Sequence, residues 1–289
     1  MKSYKPENLK NISLVICVRN SANLLHGCLT EIKKESPESE VIVIDGNSRD
    51  NSASIAKNFT LNVFSDEGKG LAAARQLGID KATRSLVAFV GPDNIISREL
   101  LLKMANVLLA DPMTAAVVAN TKVINPKNYW EKTTNYIYEY LINKVGSVDV
   151  VGTPCMYPVE IVRKIRYDSR ITGGCDDTDL SFRLKDAGYK LEMIDSYNYE
   201  KNDLEFKDFC ARWKTFYGRG DAEFYNKYKD TWTFRRKFQS LTHPLRKYIL
   251  KGSWIFIRKG KFIYVPGIII AGLSRYLGWY IHYKKTVSK

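Results

Sequence analysis

The chain of 289 residues is 45% apolar and 26% charged. That length and apolar content suffice for one large α/β domain or two small ones, and they exclude a chain that is disordered as a whole. The net charge of +14 is uneven, because residues 231–289 contain 13 Lys and Arg and no Asp or Glu, which leaves 32 basic and 31 acidic residues in 1–230. The basic excess therefore belongs to a C-terminal tail.

Cysteine usage and the first residues indicate the cellular setting. The five cysteines are widely spread and include no C-x-x-C pair, which argues against a disulfide framework or a structural zinc site and favours a reducing, cytosolic environment. Residues 1–10 are polar and lack the apolar core of a signal peptide, so we expect no export by that route.

Apolar periodicity predicts strands that alternate with helices over the first part of the chain. Short apolar or β-branched runs predict strands at 12–18, 41–44, 61–64 and 86–90. Apolar residues at helical spacing predict helices at 22–34, 51–58, 71–82 and 97–109. Such alternation implies right-handed crossovers, so the predicted fold class is α/β, with a mostly parallel sheet flanked by helices.

Polar side chains follow several predicted strands at the point where each strand ends. They are Arg19 and Asn20, the segment 45–50 with Asp45 and Asn47, and Asp93. Each alone also fits a turn or a helix cap. Because the carboxyl ends of parallel strands gather at one edge, where ligands bind in such sheets, their convergence favours a ligand site.

Asp93 follows an apolar strand, and Pro92 makes the strand exit rigid. A fixed carboxylate with open neighbouring positions suits Mg²⁺ or Mn²⁺, which take a few protein oxygens and complete their shell with phosphate and water. The alternative is that Asp93 caps the next helix, although Ser97 is better placed for that role.

Three aspartates, Asp176, Asp177 and Asp179, follow two glycines and precede apolar residues at helical spacing. One Asp would suffice as a helix cap, and three carboxylates repel one another. The surplus is explained if one of them is displayed to a substrate as a general base whose neighbours raise its proton affinity. A purely structural capping role is the alternative.

Four segments resemble the motifs of family 2 glycosyltransferases, in the order that the family has them. Residues 44–52 (IDGNSRDNS) are similar to V-D-D-G-S-x-D-x-T, and residues 70–79 (GLAAARQLGI) to G-x-x-x-A-R-N-x-G-I. Residues 89–94 (FVGPDN) stand where the family carries D-x-D, and 176–184 (DDTDLSFRL) resemble E-D-x-D-L-x-x-R-L. Residues 10–230 therefore resemble a family 2 glycosyltransferase with the GT-A fold.

This resemblance implies inverting sugar transfer from a nucleotide-diphosphate sugar, with a UDP sugar favoured. It implies that Asp45 contacts the nucleotide, that Asp93 binds Mg²⁺ or Mn²⁺, and that Asp177 is the catalytic base, with Asp176 and Asp179 beside it. A hydroxyl of the acceptor would lose its proton to Asp177 and attack opposite the leaving diphosphate.

The chain also departs from the family pattern. Gly46 replaces the second Asp of the first motif, Gln76 replaces Asn in the second, and Gly91 replaces the first Asp of D-x-D. Asp93 then stands alone as a metal ligand, and we expect weaker metal affinity. Asp176 stands where Glu is commoner, which leaves the role of Asp177 in place.

Further candidates complete the predicted donor site. Arg75, Arg212 and Arg219 would neutralise the diphosphate, because a guanidinium fork suits phosphate oxygens. Residues 209–213 resemble the Q-x-x-R-W motif of processive members, with Phe209 in place of Gln, and Trp213 would offer an apolar face to a sugar ring. A core position is the alternative for this tryptophan.

The resemblance and the charge pattern together predict the domain organisation. Residues 1–230 would form the catalytic domain, with 10–125 binding the nucleotide sugar and 126–230 binding the acceptor. Residues 231–289 would form a helical, membrane-associating tail.

The tail mixes basic, aromatic and aliphatic residues, with a mostly apolar stretch at 262–281. Pro266 and Arg275 make that stretch a poor membrane span, so we expect helices that lie in the interface of an anionic leaflet. A true span and an amphipathic hairpin packed on the catalytic body are the alternatives. Nucleic acid is a competing partner that we do not expect, because the Asp-rich edge would repel phosphate.

These features predict an enzyme at the cytoplasmic face of the cell membrane, with a lipid-linked saccharide or glycan as acceptor. The alternative enzyme is a polyprenyl-phosphate sugar synthase, which uses a bare lipid phosphate. The alternative outside catalysis is a basic module that binds nucleic acid or membranes.

Overall fold

The structure is a computed structural model that describes residues 9–201 and 203–287. Their contacts divide them into two compact units. The first contains the described residues up to Lys122, Lys144–Arg170 and Asp177–Lys201, and the second contains Val123–Asn143, Ile171–Asp176 and the residues from 203 onward. The division into a catalytic domain 1–230 and a tail 231–289 stays a prediction.

The described residues form nine strands that belong to one sheet. The strands are β1 Ile12–Val18, β2 Glu40–Asp45, β3 Val63–Ser65, β4 Leu86–Phe89, β5 Asn94–Ile95, β6 Thr114–Val123, β7 Gly146–Ser147, β8 Cys155–Pro158 and β9 Lys190–Glu200. Their order is β3-β2-β1-β4-β8-β6-β9-β5, and β7 pairs with β9.

Over the same described ranges, twelve α-helices accompany these strands. They are α1 Ala22–Glu35, α2 Ser52–Lys57, α3 Leu71–Lys81, α4 Arg98–Ala110, α5 Tyr129–Ile137, α6 Val159–Ile165, α7 Asp176–Asp186, α8 Phe206–Ala211, α9 Arg219–Tyr228, α10 Phe234–Leu241, α11 Ser253–Arg258 and α12 Val265–Val287. Shorter helical turns of other types lie at 138–142, 212–218, 245–252 and 262–264.

The four predicted strands pair in parallel. β1 lies between β2 and β4, and β2 also pairs with β3. The register places Val18 at the end of β1 beside Asp45 at the end of β2. The later strands β8 and β6 extend this parallel half with antiparallel pairings, and β9, the next strand in the sheet, pairs antiparallel with β5 and β7. The predicted fold class, an α/β sheet flanked by helices, is confirmed.

Helices cover both faces of the sheet, as the alternation of side chains requires. Leu14 and Ile16 of β1 pack in a core cluster with α1 and α4, while Val15 packs on the opposite face in a cluster with α3, α6 and α7. Gly78 brings α3 directly onto β1, because a Cβ at that position would collide with Val15. Ser97 caps α4, since its Oγ accepts a hydrogen bond from the Leu100 amide (3.2 Å).

The second unit is helical and has a core of its own. Buried aromatic side chains dominate that core, which includes Phe209, Trp213, Tyr248, Phe256 and, in a smaller cluster, Trp279. The C-terminal helix α12 contributes Ile268 and Ala271 to it. The described part of the tail is therefore folded into the second unit together with residues 203–230.

Candidate active site

The loops after β1 and β2 are tied together at the carboxyl edge of the sheet. Asn20 Oδ1 accepts a hydrogen bond from the Arg49 amide (2.8 Å), and the Asn20 amide donates to Ser48 Oγ (2.9 Å). Asn20 and Asn47 have φ angles of 52° and 59°, a conformation that Asn adopts more readily than most residues. The structure thus gathers Asn20, Asn47 and the exposed Arg19 at one edge.

Asp45 ends β2 and is only 8% exposed. Its Oδ2 accepts a hydrogen bond from the Ser48 amide at 3.1 Å. Its Oδ1 is buried, and within 9–201 and 203–287 it has no hydrogen-bond partner. Because burying a carboxylate oxygen without a partner is costly, Oδ1 is an acceptor that a hydroxyl or N–H group of a ligand can satisfy.

A tight turn leads from β3 into α3. Gly68 and Gly70 have φ angles of 76° and 102°, which favour glycine. The buried Asp66 accepts hydrogen bonds from the amides of Gly68 (2.8 Å) and Gly70 (3.1 Å) and so fixes the turn. Asp66 belongs to none of the motifs above, although an Asp two residues before a Gly-Lys-Gly turn is a recognisable local signal.

Asp177 and Arg75 form an ion pair. Asp177 Oδ1 lies 2.7 Å from Arg75 Nη1, and the two side chains are 15% and 8% exposed. The Tyr167 hydroxyl donates a second hydrogen bond to the same Oδ1 (3.0 Å). Arg75 is fixed in turn, because its Nη2 donates to Thr153 Oγ1 (2.7 Å). Arg75 and Tyr167 both contact Oδ1 of Asp177, so Oδ2 of this carboxylate takes part in neither contact.

The ion pair lies at the carboxyl end of β4. The Arg75 guanidinium is 5.8 Å from the centroid of the Phe89 ring and 5.7 Å from that of Tyr167, and Phe89 is the last residue of β4. Only β1 separates β4 from β2, which ends at Asp45. The register sets Phe89 beside Val15 and Asp45 beside Val18, so Asp45 lies two strands across and three residues further along. Strand spacing and rise then place the two strand ends about 14 Å apart, a separation that a nucleotide-diphosphate sugar can bridge.

A chain of buried hydroxyl and thiol groups supports Tyr167. The Tyr157 hydroxyl lies 3.4 Å from the Tyr167 hydroxyl. Cys155 Sγ lies 3.3 Å from the same Tyr157 hydroxyl. Burial raises the pKa of Tyr157 well above its ordinary value. The phenol therefore stays neutral and acts as a hydrogen-bonding support for Tyr167, which no sequence motif had indicated.

The other two aspartates of the acidic cluster are buried. Asp179 is fully buried, and its Oδ2 accepts hydrogen bonds from Nε (2.9 Å) and Nη2 (2.7 Å) of Arg183. Asp176 is 2% exposed at the first position of α7. The structure thus places Asp179 in an internal ion pair and Asp176 in the interior, and it leaves Asp177 the most exposed of the three.

Asp93 lies in a turn directly after β4. Asn94 Oδ1 accepts a hydrogen bond from the Gly91 amide (2.7 Å), and a Cβ on Gly91 would collide with Asp93 Oδ1. The glycine that replaces the first Asp of D-x-D therefore makes room for the Asp93 carboxylate. Burial, together with the nearby Asp93 charge, raises the pKa of Cys28 to about 12, so this neighbouring thiol is neutral at pH 7.

The surroundings of Asp93 decide which kind of metal site fits. Within the described ranges, no group of three or more His, Cys, Asp or Glu side chains could hold a metal ion. A single carboxylate fits Mg²⁺ or Mn²⁺ only where diphosphate oxygens and water complete the coordination. The residues present therefore fit a cation that arrives with the diphosphate.

Arg212 and Trp213, two of the three predicted donor-site residues in the range 203–287, lie in a helical turn at 212–218. Arg212 Nη2 donates to the Tyr138 hydroxyl (3.2 Å). Trp213 is 5% exposed, and its ring centroid lies 4.9 Å from that of Tyr248 and 6.2 Å from that of Phe209. The structure places this tryptophan in the core of the unit, which is the alternative that the sequence left open.

Arg219, the third, fixes the segment before the acidic cluster. Its Nε donates to Glu223 Oε1 (2.8 Å). Glu223 Oε2 accepts hydrogen bonds from the amides of Thr172 and Gly173, both at 2.8 Å. Burial acts to raise the pKa of Glu223, but the hydrogen bonds from Arg219 and from this backbone outweigh it and hold the pKa below its ordinary value. Arg219 thus acts within the second unit through Glu223.

Another buried ion pair, which no sequence motif indicated, joins Arg275 and Asp221. Arg275 Nε and Nη2 contact Asp221 Oδ2 and Oδ1 at 2.5 and 2.6 Å, and Cys175 Sγ lies 3.4 Å from Asp221 Oδ1. Burial acts to raise the pKa of Asp221, but the Arg275 charge outweighs it and keeps the pKa below its ordinary value. The one sequence signal of this pair is Arg275 itself, an isolated arginine in the apolar stretch 262–281.

Comparison with known sequences identifies the family. The sequence model of the family described as Glycosyl transferase family 2 matches residues 13–166, more than half of the chain. The chain belongs to this family. The matched range contains β1 from its second residue, β2 to β4, and Asp45, Arg75 and Asp93. The predictions of the family and of a glycosyltransferase enzyme are confirmed.

Characterised relatives of this glycosyltransferase are distant. A cholesterol galactosyltransferase of Borreliella burgdorferi is 28% identical over 226 residues, which cover 75% of this chain and 58% of that protein. A poly-beta-1,6-N-acetyl-D-glucosamine synthase of Staphylococcus epidermidis is 21% identical over 214 residues, which cover 72% of this chain and 46% of that protein. The chain spans about half the length of the curated relatives it matches.

Solved structures share the fold. The mannosyltransferase PcManGT from Pyrobaculum calidifontis, in complex with GDP-Man and Mn²⁺, has a TM-score of 0.63 at 15% identity and covers 92% of this chain and 87% of its own. TarS 1–349 of S. aureus, in complex with UDP, has a TM-score of 0.53 at 14% identity and covers 96% of this chain and 91% of its own. At these identities the likeness shows the fold alone.

Proposed function

We propose that this glycosyltransferase transfers a sugar from a nucleotide-diphosphate sugar, with a UDP sugar favoured, to a saccharide linked to a membrane lipid, and that the anomeric configuration is inverted. The observation that supports this most is the Arg75–Asp177 pair at the end of β4. A displacement at the anomeric carbon needs a base for the acceptor and positive charge for the leaving diphosphate, and this pair supplies both groups.

The loops after β1 and β2 would bind the nucleotide. The buried, unpartnered Oδ1 of Asp45 would accept a hydrogen bond from the ribose or the base. Arg19, Asn20 and Asn47 at the same edge would contact the nucleotide. The nucleotide ligands of two solved neighbours, GDP-Man and UDP, are consistent with this class of donor.

In the reaction, Oδ2 of Asp177 removes the proton from the acceptor hydroxyl. The freed oxygen attacks the anomeric carbon from the face opposite the diphosphate, so one carbon–oxygen bond forms as the bond to the leaving group breaks. Its electron pair departs with the nucleoside diphosphate. Arg75 and Tyr167 hold Oδ1 and keep Oδ2 directed to the acceptor, and Arg75 also offsets charge that develops on the leaving group.

A divalent cation fits this scheme as a companion of the diphosphate. When bound, Mg²⁺ or Mn²⁺ would neutralise charge on the leaving group, and the residue that would hold it is Asp93. The Mn²⁺ present with GDP-Man in one solved neighbour supports the choice of ion. The roles of Arg212 and Arg219 at the diphosphate stay predictions from the sequence.

The acceptor class rests on the relatives and on the tail. The names of the relatives, a cholesterol galactosyltransferase and a poly-N-acetylglucosamine synthase, fit lipid and glycan acceptors. The basic, aromatic tail would keep the enzyme at the cytoplasmic face of the cell membrane, where a lipid-linked acceptor is available.

Product analysis tests this function. The full chain would be incubated with radiolabelled UDP sugars or GDP-mannose and with a lipid extract, and the products separated by solvent partition and mild acid hydrolysis. A glycan on a lipid that is longer by one sugar, with inverted anomeric configuration by NMR, is expected. A lipid monophosphate that carries a single sugar would instead identify a polyprenyl-phosphate sugar synthase, and transfer from none of the donors would overturn the proposal.

A further inference from the structure

The helices of the tail carry apolar side chains that their own unit does not cover. In α10, Phe234 and Phe238 are 84% and 56% exposed, and no residue of this helix is buried. The two rings lie four residues apart on one helical face, while Arg235, Arg236 and Lys237 lie between them in sequence. An amphipathic helix whose apolar face is left in solvent indicates a surface that something else covers.

The helical segment 245–258 shows the same division. Leu250, Trp254 and Ile257 recur at spacings of four and three residues and are all more than half exposed. Tyr248 and Phe256 of the same segment are buried in the unit. Phe262 and Ile263, which follow shortly after, are 65% and 64% exposed. One apolar stripe of this segment therefore belongs to the core, and another faces outward.

The helical stretch Phe262–Lys284, most of which belongs to α12, is long and apolar enough to cross a membrane by length and composition. Of the 18 residues that form its most apolar part, 39% are buried within the structure. It is nevertheless held as a packed helix. Arg275 is buried in its bidentate pair with Asp221 of α9, and Gly278 approaches the backbone of the 212–218 turn so closely that a Cβ would collide with Lys214. Leu273 and Leu277 remain exposed on its other side.

We infer that residues 231–287 form an interfacial lipid-binding surface, in which Phe234, Phe238, Trp254, Ile257, Phe262 and Ile263 insert into an anionic leaflet while α12 stays packed in its unit and does not span. This deepens the proposed function, on which it rests for the lipid-linked acceptor. Charge complementarity identifies the occupant, because the tail has 13 basic and no acidic residues. The Arg258 guanidinium lies 4.8 Å from the centroid of the exposed Trp254 ring, which places charge and apolar surface side by side.

A lipid surface fits this composition better than nucleic acid. Aliphatic side chains such as Leu250, Ile257 and Ile263 gain free energy by entering hydrocarbon, whereas they cannot stack on bases as aromatic rings do. A spanning α12 would have to withdraw Arg275 from Asp221 and place that charge in lipid.

Vesicle flotation tests the surface. The full chain is mixed with vesicles of phosphatidylcholine alone or with one-third phosphatidylglycerol, and we expect it to float only with the anionic vesicles. The double variant Phe262→Ser, Ile263→Ser should lower the partition coefficient about tenfold or more. The matched control is Leu61→Ser, which removes a 98% exposed leucine of the first unit and should leave partition unchanged.

Two further measurements keep the inference separate from the catalytic proposal. The thermal shift produced by UDP should be equal in wild type and double variant, so loss of flotation without loss of UDP binding concerns the surface alone. Alkaline carbonate should release the bound chain from vesicles, since an interfacial protein has no span to retain it. Four outcomes would each overturn the inference. They are unchanged flotation of the double variant, equal binding to uncharged vesicles, preferential binding to duplex RNA when it competes with anionic vesicles, and retention on the vesicles after carbonate.

Discussion

Arg75 and Asp177 are 102 positions apart in the chain, and their side chains meet in a 2.7 Å ion pair at the end of β4. The pair joins the second family motif to the fourth, so α3 and α7 present their functional side chains to each other. Tyr167 completes the arrangement through the same carboxylate oxygen.

Asp177→Asn should lower the turnover number by about 10²–10⁴, because the amide cannot accept the proton of the acceptor hydroxyl. Binding of the nucleotide should stay within a few-fold of wild type, as measured by titration calorimetry with UDP. Asp149→Asn is the matched control, since Asp149 pairs with Lys185 on the surface and its side chain is 89% exposed. Near-normal turnover in the Asp177 variant would remove the role of base from this residue.

Tyr167→Phe should act on the turnover number rather than on binding. The variant keeps the ring beside Arg75 and loses only the hydroxyl that orients Asp177 Oδ1. We expect the turnover number to fall about tenfold, in line with the loss of one hydrogen bond to a charged group, and the KM for the donor to stay unchanged. A rise in KM with normal turnover would instead assign Tyr167 to donor binding.

Asp45→Asn should weaken UDP binding by about tenfold, since a hydrogen bond from the ligand to a charged acceptor is replaced by one to a neutral amide. Isothermal titration with UDP and with uridine would measure the loss. Glu67→Gln is a suitable control, because Glu67 is exposed and pairs only with Lys69 among the contacts described for its carboxylate. Equal affinity in wild type and Asp45→Asn would show that Oδ1 is not a nucleotide contact.

Metal dependence should be carried by Asp93 and the diphosphate together. Mn²⁺ should tighten UDP binding in the wild type and leave uridine binding unchanged, because only the diphosphate supplies the missing oxygen ligands. Asp93→Ala should remove most of this gain, and EDTA should lower wild-type affinity to the level of the variant. An equal gain from Mn²⁺ in both proteins would place the cation elsewhere.

His243 should make the protein sensitive to mild acid. Burial lowers the pKa of His243 from an ordinary value of 6.5 to about 3. The charges of Arg275, Lys247 and Arg246 also lower this pKa, and the charge of Asp221 opposes them. The folded state therefore stays unprotonated while the unfolded state binds a proton below pH 6.5. The free energy of unfolding should fall by up to about 2 kcal/mol between pH 7 and pH 5.

Chemical denaturation at pH 7 and pH 5 would test this. His243→Gln should show a smaller loss over the same interval, whereas the exposed His26→Gln should behave as the wild type. Asp221 does not contribute in this window, because its pKa is lowered from 3.8 and its stabilisation is lost only at more acidic pH. Equal losses in wild type and His243→Gln would exclude the histidine as the cause.

Local signals in the sequence determined much of the first unit. Short apolar or β-branched runs predicted β1 to β4, helical spacing predicted α1 to α4, and the Ser97 cap was read correctly, because all of these depend on neighbours within a few positions. The order of strand and helix then implied parallel pairing, and the motifs on the strand ends carried the family assignment. These features are fixed by short-range chemistry and by the handedness of crossover connections.

Only the tertiary structure decided which polar groups meet. Nothing local to Tyr167 pointed to Asp177, and nothing local to Arg275 pointed to Asp221, since each contact joins side chains from separate elements. The antiparallel pairing of β8 between β4 and β6 likewise joins strands that are far apart in the sequence, so no local pattern indicated it. Trp213 was equally compatible with a sugar platform and a core, and the aromatic side chains packed around it decide for the core, because burial is a property of the whole unit rather than of a motif.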